Sequence, residues 1–205
     1  MNTKPYTFLA LDKRPVKYIE PPTWDSIKDQ RSFKYAALDF VMRNSTEPIR
    51  AILKQMPIEG NHRYVVVDVK LHDIIEGQFP CLPGWHMDCT LNPWHDTKPD
   101  VHHIYVVGAG CRTRFLAEDF TMEFPTVIPA QVKTLMNSVE HKSWKAEEAH
   151  VYRYDRFGLH APSVAESTGK RMLIRVTETD LIRPNRRYFS KFTTGRYKGT
   201  SRSRR

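Results

Sequence analysis

Cysteine is scarce in this chain: its 205 residues hold three, Cys81, Cys89 and Cys111, with no CxxC pair among them. An odd number at unpaired spacings argues against a disulfide framework and points to a reducing compartment, with the thiols structural or simply buried. A zinc site shared with nearby histidines would use the same atoms, but the paired spacing that marks such sites is missing. Long apolar runs are missing too. No stretch approaches the roughly 20 residues that span a bilayer. The opening MNTKPYTFLALDKRPV has only FLAL as an apolar centre, too short for a secretory signal. The expectation is a soluble, cytoplasmic protein. There is no glycine-rich phosphate loop with its lysine, no GxSxG and no HExxH. Nucleotide hydrolysis, serine hydrolysis and zinc proteolysis are therefore unsupported.

Acidic residues are absent from one stretch in particular. Between Arg183 and Arg205 the chain carries Arg183, Arg186, Arg187, Lys191, Arg196, Lys198, Arg202, Arg204 and Arg205, and no Asp or Glu. These are nine of the 32 basic residues; the other 23 balance the 23 acidic ones, so the whole net charge of +9 lies in the last 23 residues. Tyr188, Phe189, Phe192 and Tyr197 interleave with the charges. Such a tail suits a polyanion, with rings available for stacking: nucleic acid, or equally an acidic protein partner. A solvated tail that aids solubility is the plainer alternative.

What remains is a globular composition, 40% apolar and 11% aromatic. The first 60 residues read as mainly helical. In TWDSIKDQRSFKYAALDFVMRN, Phe33, Ala36, Ala37, Phe40 and Val41 fall at helical spacing. NSTEPIRAILKQMPIEG follows, with Asn44 and Glu47 at capping-box spacing, Pro48 in the first turn and Pro57 as a stop. From residue 61 the period changes to that of strands: RYVVVDVKL, WHMDCTL, HHIYVVGAG, RTRFLA, FTMEF, AHVYRYD and KRMLIRVTET. One helix, PAQVKTLMNSVEHKS, interrupts them. The expected fold class is α+β: an N-terminal helical segment (1–60) packed on a mainly antiparallel β core (61–182) able to close as a sandwich or barrel, then the basic tail (183–205).

The stretch GWHMDCT places His86 and Asp88 two apart on a strand, so both side chains face one space while Met87 turns away. Trp85 would face away as well. Chance supplies roughly half of one His-x-Asp pair in a chain of this composition, and an ordinary hydrogen-bonded pair would look the same. The context strengthens it. His160 ends a strand-like segment before a Pro/Ser/Gly loop, and eleven residues later Arg171 opens a strand on which Arg171, Leu173 and Arg175 share a face. Taken singly, His160 reads as a loop residue and the arginines as surface ion-pair partners.

His-x-Asp, then a distant His, then an Arg on the following strand resembles the iron(II)/2-oxoglutarate-dependent oxygenases, whose core is a double-stranded β-helix of jelly-roll or cupin-like form. The resemblance spans residues 60–180. It implies that His86, Asp88 and His160 ligate iron(II), leaving open positions for co-substrate, and that a guanidinium takes the far carboxylate of 2-oxoglutarate. Arg171 is the first choice for that role and Arg175 the second, since a one-step change of register exchanges them. His102 and His103 open a neighbouring strand, where only one can face inward. His103, sharing a face with Tyr105, is read as a co-substrate contact, and Tyr105 as a carboxylate hydrogen-bond donor. Arg112 and Arg114 are placed at the substrate mouth or, equally, in solvent, and the WHD at 94–96 in a loop. The activity implied is hydroxylation or demethylation of a substrate that the site does not name; the basic tail points to nucleic acid or a protein associated with it. Two rivals remain: a non-catalytic β-barrel scaffold whose working part is the tail, and a cupin-like metal enzyme needing no 2-oxoglutarate.

Overall fold

The structure, a computed structural model, describes residues 2–81, 83–88, 98–125, 142–155, 157–188 and 197–198. The elements in chain order are β1 (Thr3–Phe8), β2 (Lys17–Tyr18), β3 (Phe33–Ala37), α1 (Leu38–Asn44), α2 (Glu47–Gln55), β4 (Tyr64–Ile74), β5 (Gln78–Phe79), β6 (Val101–Val107), β7 (Thr113–Leu116) and β8 (Phe120–Pro125). They continue with β9 (Ser143–Lys145), β10 (His150–Asp155), β11 (His160–Pro162), β12 (Gly169–Thr179) and β13 (Tyr197–Lys198). A short 3-10 turn, Asp25–Ile27, precedes β3. The chain is thus α+β and sheet-rich, with two α-helices among the described residues. Among the described residues no helix is long and apolar enough to cross a membrane.

Six strands form the main sheet in the order β2-β10-β6-β12-β4-β3, and three form a smaller sheet, β11-β7-β9. Every strand-to-strand pairing in them is antiparallel. The long pair β4 and β12 runs in register from Tyr64 opposite Thr179 to Ile74 opposite Gly169. Both strands are rich in Val, Ile and Leu, which fit a pleated, buried surface. At the end of β6 the chain must turn sharply, and Gly108 does so at φ +94, where a Cβ would collide with the Lys170 carbonyl.

One face of the main sheet packs on α1 and α2. Val67, Val69, Tyr105, Val107, Met172, Ile174 and Val176 meet Val41, Ile49, Ile52 and Leu53 there. The other face looks toward the small sheet, where Ile104, Val106, Tyr152 and Tyr154 pack against Phe115, Trp144 and Ala146. Burying each such large side chain stabilises the fold by roughly 1.5–3 kcal/mol.

The N-terminal region differs from the sequence expectation of a mainly helical segment. Phe33, Ala36 and Ala37 belong to β3, not to a helix. A bulge between Phe33 and Ala36 interrupts the period of two, and the leftover spacing mimics i, i+3, i+4. Tyr35, in the bulge, takes φ 49, and its N–H donates to Asp68 Oδ1 at 3.0 Å. β1 pairs with β8, also outside any helical pattern. The helix at 47–55 forms as expected, with Ile49, Ile52 and Leu53 buried. Its cap is different: Thr46 is the N-cap residue, and Gln30 Oε1 accepts from the Thr46 N–H at 2.8 Å. Asn44 instead donates back to the Phe40 carbonyl, closing α1. The expected helix at 129–143 falls almost wholly on residues outside those described.

Candidate metal centre

The inner face of the main sheet changes character along its length. Toward one end it is apolar, but β4 contributes Asp68, Lys70 and His72, and β12 contributes Arg171, Arg175 and Thr177, at alternate positions on this face. Asp68, Arg171, Arg175 and Thr177 are all buried. Burying charges is a poor way to stabilise a core, so a charged patch between two sheets points to a task rather than to folding.

His86 and His160 meet across this patch. His86 forms an isolated antiparallel bridge with His160, His86 N donating to His160 O at 2.8 Å and His160 N to His86 O at 3.0 Å. Trp85 and Met87 turn the other way, into a cluster with Phe8, Leu116 and Leu159. His86 and Asp88 are thereby left facing the interior with His160. One ligating atom from each of the three lies within 4.8 Å of the others.

The ring tautomers follow from the backbone. His86 Nδ1 is 3.1 Å from the Gly84 carbonyl, and His160 Nδ1 is 2.9 Å from the Gly158 carbonyl. A carbonyl only accepts, so each Nδ1 carries the proton, and in each neutral ring Nε2 carries the lone pair. His160 Nε2 stands 3.3 Å from Asp88 Oδ2. A lone pair facing a carboxylate oxygen repels it unless a proton or a metal cation is shared between them. Two imidazoles fixed through Nδ1 and one carboxylate form a donor set that suits a divalent transition metal.

Asp88 is itself held in place. Tyr154 donates its hydroxyl to Asp88 Oδ2 at 2.6 Å, and Arg175 Nη1 pairs with the same oxygen. Arg175 Nη2 reaches Asp68 Oδ2 at 2.6 Å. Burial alone would raise the Asp88 carboxyl, but the Arg175 guanidinium, with His160 beside it, holds it well below the usual carboxylate range. Burial, reinforced by the Asp88 charge, pushes the Tyr154 phenol well above its ordinary value, so it stays a donor. Beside these groups lies a cavity of about 70 Å³, walled by Ile104 and Leu173 and lined by Lys70, Arg171 and the three candidate ligands. Arg171 donates Nε to the Cys111 carbonyl at 2.9 Å and makes no ion pair among the described residues.

The other residues singled out in the sequence divide clearly. His103 and Tyr105 do not face the site. Tyr105 is buried in the helix-side core and donates to the Ile19 carbonyl, and His103, one pleat away, shares its side of β6 with Val107. β6 is buried on both faces, so apolarity could not fix which histidine turns inward. His102 is the inward one: it stacks on Tyr154 at 4.8 Å, and its Nδ1 lies 2.9 Å from Thr177 Oγ1. Arg112 pairs with Glu166, and Arg114 lies over the Trp85 ring. The Cys89 thiol and the WHD at 94–96 are outside the described residues.

In the tail, Arg183, Arg186 and Arg187 are described, and Arg186 pairs with Asp39. Lys198 is described as backbone in β13, which pairs with β5. Lys191, Arg196, Arg202, Arg204 and Arg205 lie outside the described residues.

Asp68, Lys70 and Tyr154 were missed in the sequence. The first two had a signal: in VVVDVKLHD, charged residues recur at every second position of an otherwise apolar strand. Tyr154 had none, since a tyrosine in a strand is most often core.

No protein-family model matches the chain, and neither does any curated protein or solved structure.

Proposed function

We propose that the protein is an iron(II)/2-oxoglutarate-dependent oxygenase, with His86, Asp88 and His160 as metal ligands. The observation that carries this is the pair of Nδ1 hydrogen bonds to Gly84 and Gly158, which leave both rings able to offer Nε2 beside the Asp88 carboxylate. Hydrogen bonds of this kind are how proteins fix the tautomer of a ligating histidine. The winding of the chain supports the same reading. β4, β6, β10 and β12 go to the main sheet, while the His86 bridge, β7, β9 and β11 fall between them in sequence and lie on the other side. Crossing between two facing sheets in this way is what a double-stranded β-helix, the jelly-roll form, requires, and it supports that reading of the core.

Bound iron(II), with 2-oxoglutarate and dioxygen, supplies oxidation of a substrate C–H to C–OH, 2-oxoglutarate leaving as succinate and carbon dioxide. The chain's own part is to bind and to orient. Asp88, steadied by Tyr154 and Arg175, offers the one anionic ligand. Arg171 offers a buried, permanently charged fork for a carboxylate. Arg175 is committed to Asp68 and Asp88, which favours Arg171 for that role. Ile104 and Leu173 wall the cavity and limit water.

The test is an anaerobic titration of iron(II), then 2-oxoglutarate, into wild type and Asp88→Ala, followed by the visible charge-transfer absorption of the chelate. The band should appear in wild type alone. No band in either folded protein would remove the oxygenase reading.

A second reading rests on charge. Nine basic and no acidic residues close the chain, and residues 183–188 are docked, with Asn185 bridging β3 and Tyr188 packed on Phe33 and Phe40. The tail is thereby held to the body, and we propose that it binds nucleic acid, with an acidic protein as the competing partner. A filter-binding assay with single-stranded RNA and DNA against polyglutamate separates the two.

A further inference from the structure

The basic tail is anchored at two described points, and each leads toward the candidate centre. At its root Asn185 is tied to β3: its N–H donates to the Tyr35 carbonyl at 2.9 Å, its carbonyl accepts from the Ala37 N–H at 2.9 Å, and its side chain donates to the Lys34 carbonyl at 2.7 Å. Further on, Tyr197 in β13 stands opposite Phe79, two residues before the cavity-lining Cys81. Tyr35 carries the first anchor inward. Its N–H donates to Asp68, which holds Arg175, which in turn holds Asp88. Its half-buried phenol is within the field of the same three groups: burial raises its pKa, the Arg175 guanidinium opposes the rise, and Asp68 and Asp88 add to it. The exposed Lys34 ammonium lies 5.5 Å from the centroid of its ring. The φ of 49 at Tyr35 is left-handed, a conformation that glycine adopts freely and a bulky residue only at a cost. Strain of this kind gathers at functional sites.

Charge and ring together select one chemistry. Arg31, Lys34, Arg183 and Arg187 are exposed around this root, and the Arg31 guanidinium lies 4.3 Å from the centroid of the Tyr188 ring. Such cations gather a phosphate chain. A base has the flat face that a half-buried ring beside a cation can take, and a polyglutamate side chain has none. We propose that the tail and the metal centre serve one ligand: single-stranded nucleic acid gathered at the tail root is the centre's substrate, and Tyr35 is a specificity-determining residue that seats one of its bases at the edge of the Arg175 cluster. Metal and nucleic acid rest on the two readings above; their meeting at Tyr35 does not follow from either.

The experiment is proton NMR of a short oligothymidylate mixed with the full chain carrying manganese(II), an ion that broadens resonances near it. Asp88→Ala, which lacks the anionic ligand, gives the background from manganese on phosphate. Base protons should broaden above that background in wild type. Tyr35→Gly removes the ring and suits the backbone angle, so the fold should hold. It should abolish the excess broadening and weaken oligothymidylate roughly 5- to 150-fold, the range for losing one stacked base. The salt dependence should stay the same, since the ring carries no charge. Tyr35→Phe should keep both the broadening and the affinity. Oligothymidylate that binds wild type without excess broadening would overturn the proposal and leave the tail a separate site. Equal binding by wild type and Tyr35→Gly would overturn it as well, and so would equal losses in Tyr35→Gly and Tyr35→Phe, which would assign the effect to the phenol beside Arg175. Polyglutamate bound as tightly as oligothymidylate, with Tyr35→Gly affecting neither, would overturn it in favour of an acidic partner. A wild type that binds oligothymidylate but no manganese removes the metal reading, and one that binds manganese but no oligothymidylate removes the nucleic-acid reading. Each of these also ends the proposal, by a result distinct from a silent Tyr35.

Discussion

Arg175 sits between two carboxylates, its Nη2 2.6 Å from Asp68 Oδ2 and its Nη1 paired with Asp88 Oδ2. All three side chains are nearly shielded from solvent, so the guanidinium is the counter-ion buried between the two acids. Arg175→Met should strand two buried charges and cost about 3–5 kcal/mol. Adding Asp68→Asn should recover part of that loss, because the two changes share one network. Urea denaturation of the single and double variants measures it. A cost under about 1 kcal/mol for Arg175→Met, the level of an exposed pair, would mean that the cluster is hydrated.

Tyr154 meets the candidate centre twice, its ring against His160 at 5.0 Å between centroids and its hydroxyl at Asp88. Its hydroxyl donates to Asp88 Oδ2, and its ring is packed against Phe115 and His102. Tyr154→Phe keeps the packing and removes the donor. Metal affinity should fall roughly 10- to 100-fold, the usual effect of losing a partner of a ligand, with stability nearly unchanged. Competition with a chelator of known affinity reads the first, and thermal melting the second.

How far the site could be read in advance depended on what each strand buries. At residues 85–88 the alternation was legible, because Trp85 and Met87 are apolar and His86 and Asp88 are not. Along β6 it was not: all seven residues are buried, so His102 and His103 look alike in sequence, and a one-residue choice selects the wrong face. In β3 the bulge at Tyr35 gave strand residues a helical spacing. Asp68 was visible only as a charge in an apolar run, because its partner Arg175 lies 107 positions away. Arg171 and Arg175 could be placed on one face but not ranked, since their difference lies in Asp68 and Asp88, which only the folded chain brings to Arg175.

That difference makes a prediction for Arg171. Arg171→Gln removes the guanidinium while leaving the Arg175 cluster intact. Binding of 2-oxoglutarate should weaken roughly 10- to 100-fold, with metal affinity held within a few-fold. Equilibrium dialysis with labelled 2-oxoglutarate at fixed metal distinguishes this from a general collapse. Weaker metal binding in equal measure would assign Arg171 to the fold rather than to a ligand.

The tail can be removed without disturbing its docked root. Ending the chain after Tyr188 keeps the packing on Phe33, Phe40 and Arg31 and deletes six of the nine basic residues. Affinity for single-stranded nucleic acid should drop, and its dependence on salt should become shallower by about 0.7 for each phosphate no longer neutralised. The 2-oxoglutarate consumed without substrate should hardly change. Loss of that turnover would instead tie the tail to the centre, for instance through the pairing of β13 with β5.

Acid should find a weak point beside the ligands. Burial pushes His102 down to about 3, whereas an unfolded histidine titrates near 6.5. Between those values the unfolded chain takes up a proton that the native chain refuses, so stability falls as pH is lowered. From pH 6.5 to 4 the loss from His102 should reach about 3 kcal/mol, at about 1.4 kcal/mol per unit. His72, also pushed down to about 3, acts in the same direction. Asp88, held low by Arg175, contributes stability that is lost below its unfolded value of about 3.8, and Glu47, Glu59 and Glu166, held low by basic partners, add their own smaller, solvent-screened loss as pH falls toward 4. His102→Gln keeps a polar group beside Thr177 and cannot titrate. Urea midpoints for that variant should decline with acid less steeply than those of wild type over this window. Parallel curves would mean that the native chain protonates His102 readily, and hence that water reaches the inner face of β6.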